Sequence, residues 1–271
     1  MPDIVALGGA AHGLKVQEMT TMSLQQAFSM LVQFRDQIKQ NAGNEIFSFF
    51  DFCVRNLDGT TSQNFQDLFA LFKLKEKKRG YFVEFGAGDG IDSSNTHLLE
   101  TKYEWNGILA EPAKARHVDL RKNRNCAIDF HCVWSTSGET VTFNEARDPN
   151  LATIDSFSNS DKWASLREHG RKYPVATISL NDLLLENHAP SRIDYLSVDT
   201  EGSEFDILST FNFDKYDVKI ITVEHNFTPA RERIHSLLVS KGYVRKYESL
   251  SQWDDWYVRD YLEPSGPSSK S

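Results

Sequence analysis

The chain has 271 residues, of which 40% are apolar and 25% charged, and this composition excludes a wholly disordered protein. Its 30 basic and 38 acidic residues give a net charge of −8, the wrong sign for a protein that binds nucleic acid by neutralising phosphates. Three cysteines without a C-x-x-C spacing disfavour a disulfide framework or a zinc–cysteine site. No stretch approaches the roughly 18 apolar residues of a membrane span, and the first residues lack the basic start of a signal peptide, so the sequence predicts a cytoplasmic protein.

The first part of the chain has the periodicity of helices. Apolar residues recur at helical spacing within residues 21–40, and a break at 41–44 separates them from a second apolar helix at 45–56. A third short helix is predicted at 63–74. We therefore predict an N-terminal helical extension over residues 1–79, whose apolar faces could cap a site or join two copies of the chain.

From residue 80 onward, apolar strands alternate with helices. Strands are predicted at 81–85, 106–111, 127–134, 140–144, 175–179, 193–198 and 219–224, and helices at 181–187, at 201–211 and from Thr228. This alternation predicts an α/β domain over residues 80–262 with a mostly parallel sheet. The polar stretch 148–173 is predicted to be a loop or lid, and strands 243–247 and 255–259 to form a final antiparallel pair. Residues 263–271 are predicted to be a disordered tail.

Glycines crowd the turn after the first predicted strand, in the segment Glu84-Phe-Gly-Ala-Gly-Asp-Gly90. Gly86 and Gly88 permit a tight turn and a close approach of the backbone to a ligand. The second predicted strand ends in Glu111, and a carboxylate at that place can accept hydrogen bonds from both hydroxyls of a ribose. The alternative for Glu111 is an ordinary surface carboxylate. Both features in register favour a nucleotide-type site.

Two carboxylates decide which nucleotide is favoured. Glu84 and Asp89 lie beside and within the glycine-rich loop, where they would repel the pyrophosphate of a dinucleotide. S-adenosylmethionine carries a sulfonium and an ammonium group and no phosphate, so these carboxylates suit it better. The residues therefore favour a methyl donor, and a NAD-dependent oxidoreductase is the weaker alternative.

Several segments of the chain resemble the FkbM family of S-adenosylmethionine-dependent methyltransferases. They are residues 63–68, 83–91, 94–96, 105–112 and 195–204, the last of which is close to an Asp-x-Glu-Gly-x-Glu signature. The resemblance covers roughly residues 60–260 and implies a Rossmann-like, seven-strand class I methyltransferase fold. It also implies O-methylation, often of sugar or polyketide hydroxyls. The first 60 residues and the loop 148–173 match no pattern, so we expect them to determine the substrate.

Acidic residues follow two strands that are neighbours in the predicted sheet. Asp199 and Glu201 come after strand 193–198, and Glu224 and His225 come after strand 219–224. A neutral alcohol is a poor nucleophile, so its methylation needs a base or a metal that draws off the proton. We predict Asp199, Glu201 and His225 as catalytic residues, with Asp199, Glu224 and His225 as ligands of a divalent cation such as Mg²⁺ or Mn²⁺. The alternative for Glu201 is stabilisation of a helix N-terminus.

The sequence thus predicts an O-methyltransferase that acts on a small molecule or a glycan, assisted by a metal where the acids hold one. The residues predicted to bind S-adenosylmethionine are Glu84, Gly86, Gly88, Asp89, Ser94, Asn95, Thr96, Glu111 and Val133. The alternative from another class is a scaffold protein that keeps the fold without chemistry. It is disfavoured because a decayed enzyme has little reason to keep three mutually repelling acids at strand ends.

Overall fold

The structure is a computed structural model that describes residues 23–41 and 43–263. The chain divides into two compact units, residues 1–48 and 49–271. This division differs from the predicted boundary at residue 79, because Phe49 and Phe69 share a buried aromatic cluster with Trp256 near the end of the chain. The predicted tail lies outside the described residues except for its first position.

Nine helices and eleven strands occur in the described part of the chain. The helices are α1 Leu24–Gln40, α2 Glu45–Arg55, α3 Gln66–Lys73, α4 His97–Tyr103, α5 His117–Asn123, α6 Ala164–Arg167, α7 Leu180–Glu186, α8 Glu204–Thr210 and α9 Ala230–Ser240. The strands are β1 Tyr81–Phe85, β2 Asn106–Ala110, β3 Ala127–Asp129, β4 Cys132–Trp134, β5 Thr140–Glu145, β6 Thr153–Ile154, β7 Arg171–Ser179, β8 Arg192–Val198, β9 Asp217–Glu224, β10 Tyr243–Lys246 and β11 Asp254–Arg259. Within residues 23–41 and 43–263, no helix has the length and apolar character needed to cross a bilayer.

Helix α1 of the first unit begins at a capping box. The Ser23 hydroxyl accepts a hydrogen bond from the Gln26 backbone at 3.2 Å, and the Gln26 side chain accepts one from the Ser23 backbone at 2.8 Å. These two bonds satisfy donors that the first turn of a helix leaves unpaired. The predicted helix over residues 21–40 is therefore present, and its start is fixed by local hydrogen bonding.

Seven strands form the main sheet, in the order β3-β2-β1-β8-β9-β11-β10. Neighbouring strands run parallel from β3 to β9, and β11 runs antiparallel to both β9 and β10. The central strands β1 and β8 are almost wholly buried, as expected for parallel strands covered by helices on both faces. This arrangement confirms the predicted class I methyltransferase fold.

A second sheet of four strands, ordered β4-β7-β5-β6, corrects two predictions. The single strand predicted at 127–134 is broken, because the Asp129 side chain accepts a hydrogen bond from the His131 backbone at 2.7 Å and turns the chain. Its first half, β3, joins the main sheet and its second half, β4, pairs with β7. The predicted strand at 175–179 belongs to β7 and so lies in the second sheet rather than the main one.

Candidate active site

The carboxyl ends of β1, β2, β8 and β9 meet at one edge of the main sheet. The loop after β1 approaches the end of β8 so closely that a Cβ atom on Gly86 would lie 1.9 Å from the Asp199 carbonyl oxygen. Gly86 also has a φ of +76°, a conformation that side chains disfavour. Only glycine at this position lets the two strand ends come together, and this places the glycine-rich loop beside the acids that follow β8.

Glu111 lies at the end of β2 and is held by the backbone around it. One carboxylate oxygen accepts a hydrogen bond from Gly88 N at 2.8 Å and the other from Ala113 N at 2.7 Å. Burial raises the pKa of Glu111 to about 7, against the lowering effect of these two bonds. Each oxygen has the capacity to accept one more bond. The carboxylate is therefore aimed at the glycine-rich loop and keeps room for two hydroxyl donors.

Four residues predicted to bind the cofactor, Glu84, Ser94, Asn95 and Thr96, are bonded to one another. Glu84 accepts hydrogen bonds from Asn95 N at 2.7 Å, from the Ser94 hydroxyl at 3.1 Å and from the Thr96 hydroxyl. The Arg124 guanidinium lies 3.8 Å from the Glu84 carboxylate and is fully buried. These residues therefore form a buried hydrogen-bond network around Glu84. The sequence gave no indication that Arg124 is part of this network.

Asp89 and Val133 also have partners of their own. One Asp89 oxygen accepts hydrogen bonds from the backbones of Ile91 and Asp92, each at 2.9 Å, and so shapes the turn after the glycines. Val133 is buried in β4 and packs in the core of the main sheet. Asp89 therefore lies in the glycine-rich loop, and Val133 lies in the hydrophobic core.

Three acids come together where β8 and β9 end. One carboxylate oxygen from each of Asp199, Glu201 and Glu224 lies within 4.8 Å of the others. Burial, followed by the charge of Asp254, raises the pKa of Asp199 to about 8. Burial and the charge of Asp199 also raise the pKa values of Glu201 and Glu224. Three buried acids that also repel one another form a place that favours a bound proton or cation.

Strained backbone helps to assemble this cluster. Glu201 has a φ of +59° and Asn226 a φ of +45°, although neither residue is a glycine. Such conformations cost of the order of 1–3 kcal/mol each and persist where the surroundings fix them. The Asn226 amide donates a hydrogen bond to the Glu201 carboxylate at 3.2 Å, so the loops after β8 and β9 hold each other.

The two glutamates at the start of α8 have different tasks. Glu204 is the first residue of α8 and accepts hydrogen bonds from the backbones of Thr200 at 3.1 Å and Gly202 at 2.9 Å, in the turn that leads into the helix. Glu201 makes none of these bonds and is instead directed into the acidic cluster. The helix-stabilising alternative therefore applies to Glu204 rather than to Glu201.

His225 does not join the cluster, in contrast to its predicted role as a metal ligand. Its Nδ1 atom accepts a hydrogen bond from Phe227 N at 3.0 Å, and its Nε2 atom faces Asp255 at 3.7 Å. Asp255 is bound in turn by the Arg231 guanidinium at 2.8 and 3.0 Å. Burial lowers the pKa of His225. The backbone donor at Nδ1 turns the ring toward the ion pairs of the sheet edge, away from Asp199 and Glu224.

Arg167 touches the cluster from a segment that the sequence predicts to be a solvated loop. Its guanidinium is fully buried and pairs with Asp161 at 2.7 Å and with Glu201 at 2.7 Å. It also donates to the Leu151 carbonyl oxygen at 2.7 Å. No local pattern distinguishes Arg167 from the exposed Arg171 nearby, so sequence reasoning missed this contact.

Asp254 is a further acid at the site that sequence reasoning missed. It opens β11 directly opposite Glu224 in the antiparallel register and accepts a hydrogen bond from the Gln66 side chain. Burial raises its pKa to about 7. The signal was available, because two adjacent aspartates at the start of a buried strand are unusual.

Comparisons with known proteins found similar solved structures and a matching family. No curated protein matches the chain. Among solved structures, it is similar to a precorrin-6y C5,15-methyltransferase from Geobacter metallireducens, with 12% identity over 71% of this chain and 85% of that one and a TM-score of 0.37. It is also similar to a ribosomal protein L11 methylase from Lactobacillus delbrueckii subsp. bulgaricus, with 11% identity over 72% and 78% of the chains and a TM-score of 0.33. A CurJ carbon methyltransferase shares 12% identity over 85% of this chain and 70% of that one, with a TM-score of 0.32.

The family of this protein is identified by a sequence match, and the solved structures are not needed for it. Residues 84–258 match the methyltransferase FkbM domain family, and the match begins at Glu84 before the glycine-rich loop and ends in β11. It therefore contains both the Glu111 carboxylate and the acidic cluster. Because the match spans more than half of the chain, the protein belongs to the FkbM methyltransferase domain family.

Proposed function

We propose that this methyltransferase transfers the methyl group of S-adenosylmethionine to a hydroxyl group of a small molecule or a glycan. The observation that carries the proposal is the meeting of Asp199, Glu201 and Glu224 beside the glycine-rich loop. An alcohol must lose its proton to act as a nucleophile, and buried carboxylates with raised pKa values are suited to take it.

The residues divide the work between the two ends of the cleft. Glu111 and the glycine-rich loop would hold the ribose and the methionine part of the cofactor, so that the sulfonium methyl group faces the acids. The substrate oxygen attacks the methyl carbon in line, the carbon–sulfur bond breaks, and S-adenosylhomocysteine leaves with the sulfur electron pair. The hydroxyl proton passes to the ionised Asp199 carboxylate. Much of the rate in such a reaction comes from holding the two reactants in line.

The acidic cluster also fits a divalent cation. Mg²⁺ and Mn²⁺ prefer carboxylate oxygens, and the cluster offers one from each of Asp199, Glu201 and Glu224. The Oε2 atom of Glu224 is buried and has no hydrogen-bond partner among the described residues, so it is available to bind a cation. A bound cation would lower the pKa of a substrate hydroxyl.

Ligand binding gives the first test of the proposed function. S-adenosylmethionine and S-adenosylhomocysteine should raise the melting temperature, and NAD should leave it unchanged, because a ligand stabilises the folded state that binds it. The acceptor can then be sought by supplying S-adenosylmethionine with a labelled methyl group to panels of sugars, polyketide alcohols, amines and carbon acids. Label on nitrogen or carbon alone would contradict O-methylation while leaving methyl transfer in place.

We expect the change Glu111→Ala to weaken the binding of S-adenosylmethionine by roughly 100-fold or more. The variant loses two charge-assisted hydrogen bonds to the ribose, each worth about 1.5–3 kcal/mol. Isothermal titration calorimetry measures the effect, with Glu139→Ala, an exposed acid next to β5, as the control. Equal affinity of Glu111→Ala and the wild type would remove Glu111 from the cofactor site.

We expect Mn²⁺ to raise the melting temperature of the wild type and to have little effect on Glu224→Gln. The amide keeps the shape of the side chain but removes a negative ligand, so the cation loses part of its attraction. Electron paramagnetic resonance of Mn²⁺ gives an independent measure of bound ion. If the wild type and the variant bind Mn²⁺ equally, the acids act without a metal and the base role alone is kept.

A further inference from the structure

The cofactor site described so far lacks hydrogen-bond donors from side chains. A ribose presents two hydroxyl groups, each of which donates one hydrogen bond and accepts others. An ionised Glu111 carboxylate can only accept hydrogen bonds. The oxygens of both hydroxyls therefore need donors from another part of the protein, because buried acceptors without partners cost free energy.

Asn150 approaches the glycine-rich loop from the polar segment 148–173. It is the middle residue of a short 3₁₀ turn, Pro149–Leu151, and its backbone N–H donates to the Asp148 carboxylate at 3.1 Å. Its Oδ1 atom lies 3.7 Å from the position that a Cβ atom on Gly88 would take. Gly88 is also the residue whose N–H binds Glu111, so Asn150 and Glu111 approach the same glycine.

Arg116 holds Asn150 in this place. It directly precedes α5, and its Nη2 atom donates to Asn150 Oδ1 at 2.6 Å. Its Nη1 atom lies 3.9 Å from the carboxylate of Asp89 in the glycine-rich loop, and its side chain is four-fifths buried, with 20% exposed. The Arg116 Nε atom is buried and has no hydrogen-bond partner within the described residues.

Asn150 and Arg116 both have hydrogen-bond donors without a partner among the described residues. With Asn150 Oδ1 turned to Arg116, the Asn150 amide nitrogen faces outward from that bond, and no partner for it occurs in the part of the chain that the structure describes. Arg116 adds its unpaired Nε–H and the donors of Nη1, which has only the long contact with Asp89. The acceptors of Glu111 and the donors of Asn150 thus lie near Gly88, and Arg116 adds its donors beside Asn150.

We infer that Asn150 and Arg116 bind the ribose of the cofactor together with Glu111 and donate to its hydroxyl oxygens. The inference rests on the proposed binding of S-adenosylmethionine and adds two residues to that site. It also assigns a role in cofactor binding to the start of the polar segment 148–173, because Asn150 approaches the glycine-rich loop from that segment. Selection for a complete ribose follows, because each hydroxyl meets both an acceptor and a donor.

The test compares S-adenosylhomocysteine with its 2′-deoxy and 3′-deoxy analogues by isothermal titration calorimetry. The variants are Asn150→Ala, the isosteric Asn150→Asp, which keeps an acceptor for Arg116 but loses the amide donors, and Arg116→Met. Ser156→Ala, an exposed residue of the same segment, is the matched control. Circular dichroism and melting temperatures establish that each variant is folded.

We expect both Asn150 variants to bind S-adenosylhomocysteine about 3- to 10-fold more weakly than the wild type, and Arg116→Met about 10-fold or more. For the analogue that lacks the contacted hydroxyl, these losses should shrink to within about twofold, because the bond is already missing. Ser156→Ala should match the wild type with all three ligands.

Three results would overturn the inference, and they are distinguishable. If Glu111→Ala weakens binding but the Asn150 and Arg116 variants do not, these two residues lie outside the ribose site and the proposed function stands. Equal losses for S-adenosylhomocysteine and both deoxy analogues would mean that the residues act on the loop rather than on the ribose. A wild-type protein that binds neither S-adenosylmethionine nor S-adenosylhomocysteine would contradict the proposed function and the inference together.

Discussion

The change Arg167→Met is expected to lower the free energy of unfolding by about 3–5 kcal/mol. The guanidinium of Arg167 is fully buried and is within 2.7 Å of both the Asp161 and the Glu201 carboxylates. Methionine fills much of the volume but leaves two buried acids without their cation, and a buried unpaired charge is costly. Urea denaturation followed by circular dichroism measures the loss.

An exposed ion pair in the same segment provides the matched control. Lys172 lies 2.8 Å from Asp155, and its side chain is half exposed, so the change Lys172→Met should cost about 1 kcal/mol or less. The double variant Arg167→Met/Glu201→Gln should regain part of the lost stability, because one of the unpaired charges is gone. Equal losses for Arg167→Met and Lys172→Met would contradict a buried, paired arginine.

The change Asp199→Asn is expected to reduce methyl transfer by about 10²- to 10⁴-fold while cofactor affinity stays within about twofold. The amide keeps the size of the side chain but can neither accept the hydroxyl proton nor bind a cation as a charged ligand. Turnover with the acceptor found in the screen and calorimetry with S-adenosylmethionine measure the two quantities separately. Retained turnover would move the base role to Glu201 or Glu224.

The same variant is expected to change the pH dependence of stability. The pKa of Asp199 is about 8 in the folded protein and near 3.8 in the unfolded chain, so between these pH values the folded state holds the extra proton. Stability contributed by that proton is complete below about pH 4 and is lost as the pH rises toward 8, by up to about 1.4 kcal/mol per pH unit. Asp199→Asn lacks this loss, so its stability relative to the wild type should rise with pH. Parallel curves for the two proteins would contradict the raised pKa.

The strand order predicted from the sequence accounts for only part of the positions around the acidic cluster. Placing the ends of β8 and β9 side by side follows from the alternation of strands and helices, and that puts Asp199 and Glu224 at one edge. The orientation of His225 did not follow, because it depends on a bond from the Phe227 backbone and on a left-handed turn at Asn226. The pattern of residues along the chain contains neither feature.

The glycine-rich loop shows the same limit of prediction from sequence. Gly86 was identified from sequence because a tight turn after a buried strand demands a residue without a side chain. Glu84 is predicted to bind the cofactor, and the bonds that its carboxylate accepts from Ser94, Thr96 and Asn95 did not follow from the sequence. A strand residue can point to either face of the sheet, and the sequence does not say which polar partners wait there.

The sequence by itself determined the alternation of strands and helices, the parallel sheet with its antiparallel edge and the glycine turn, because these depend on apolar periodicity and on the backbone freedom of single residues. Tertiary structure alone decided the partners of the charged groups. Arg167 and Glu201 are 34 positions apart, as are Arg116 and Asn150, and nothing local in the chain links either pair. A buried charge is stable only with a partner, and which partner it meets is decided when the segments pack.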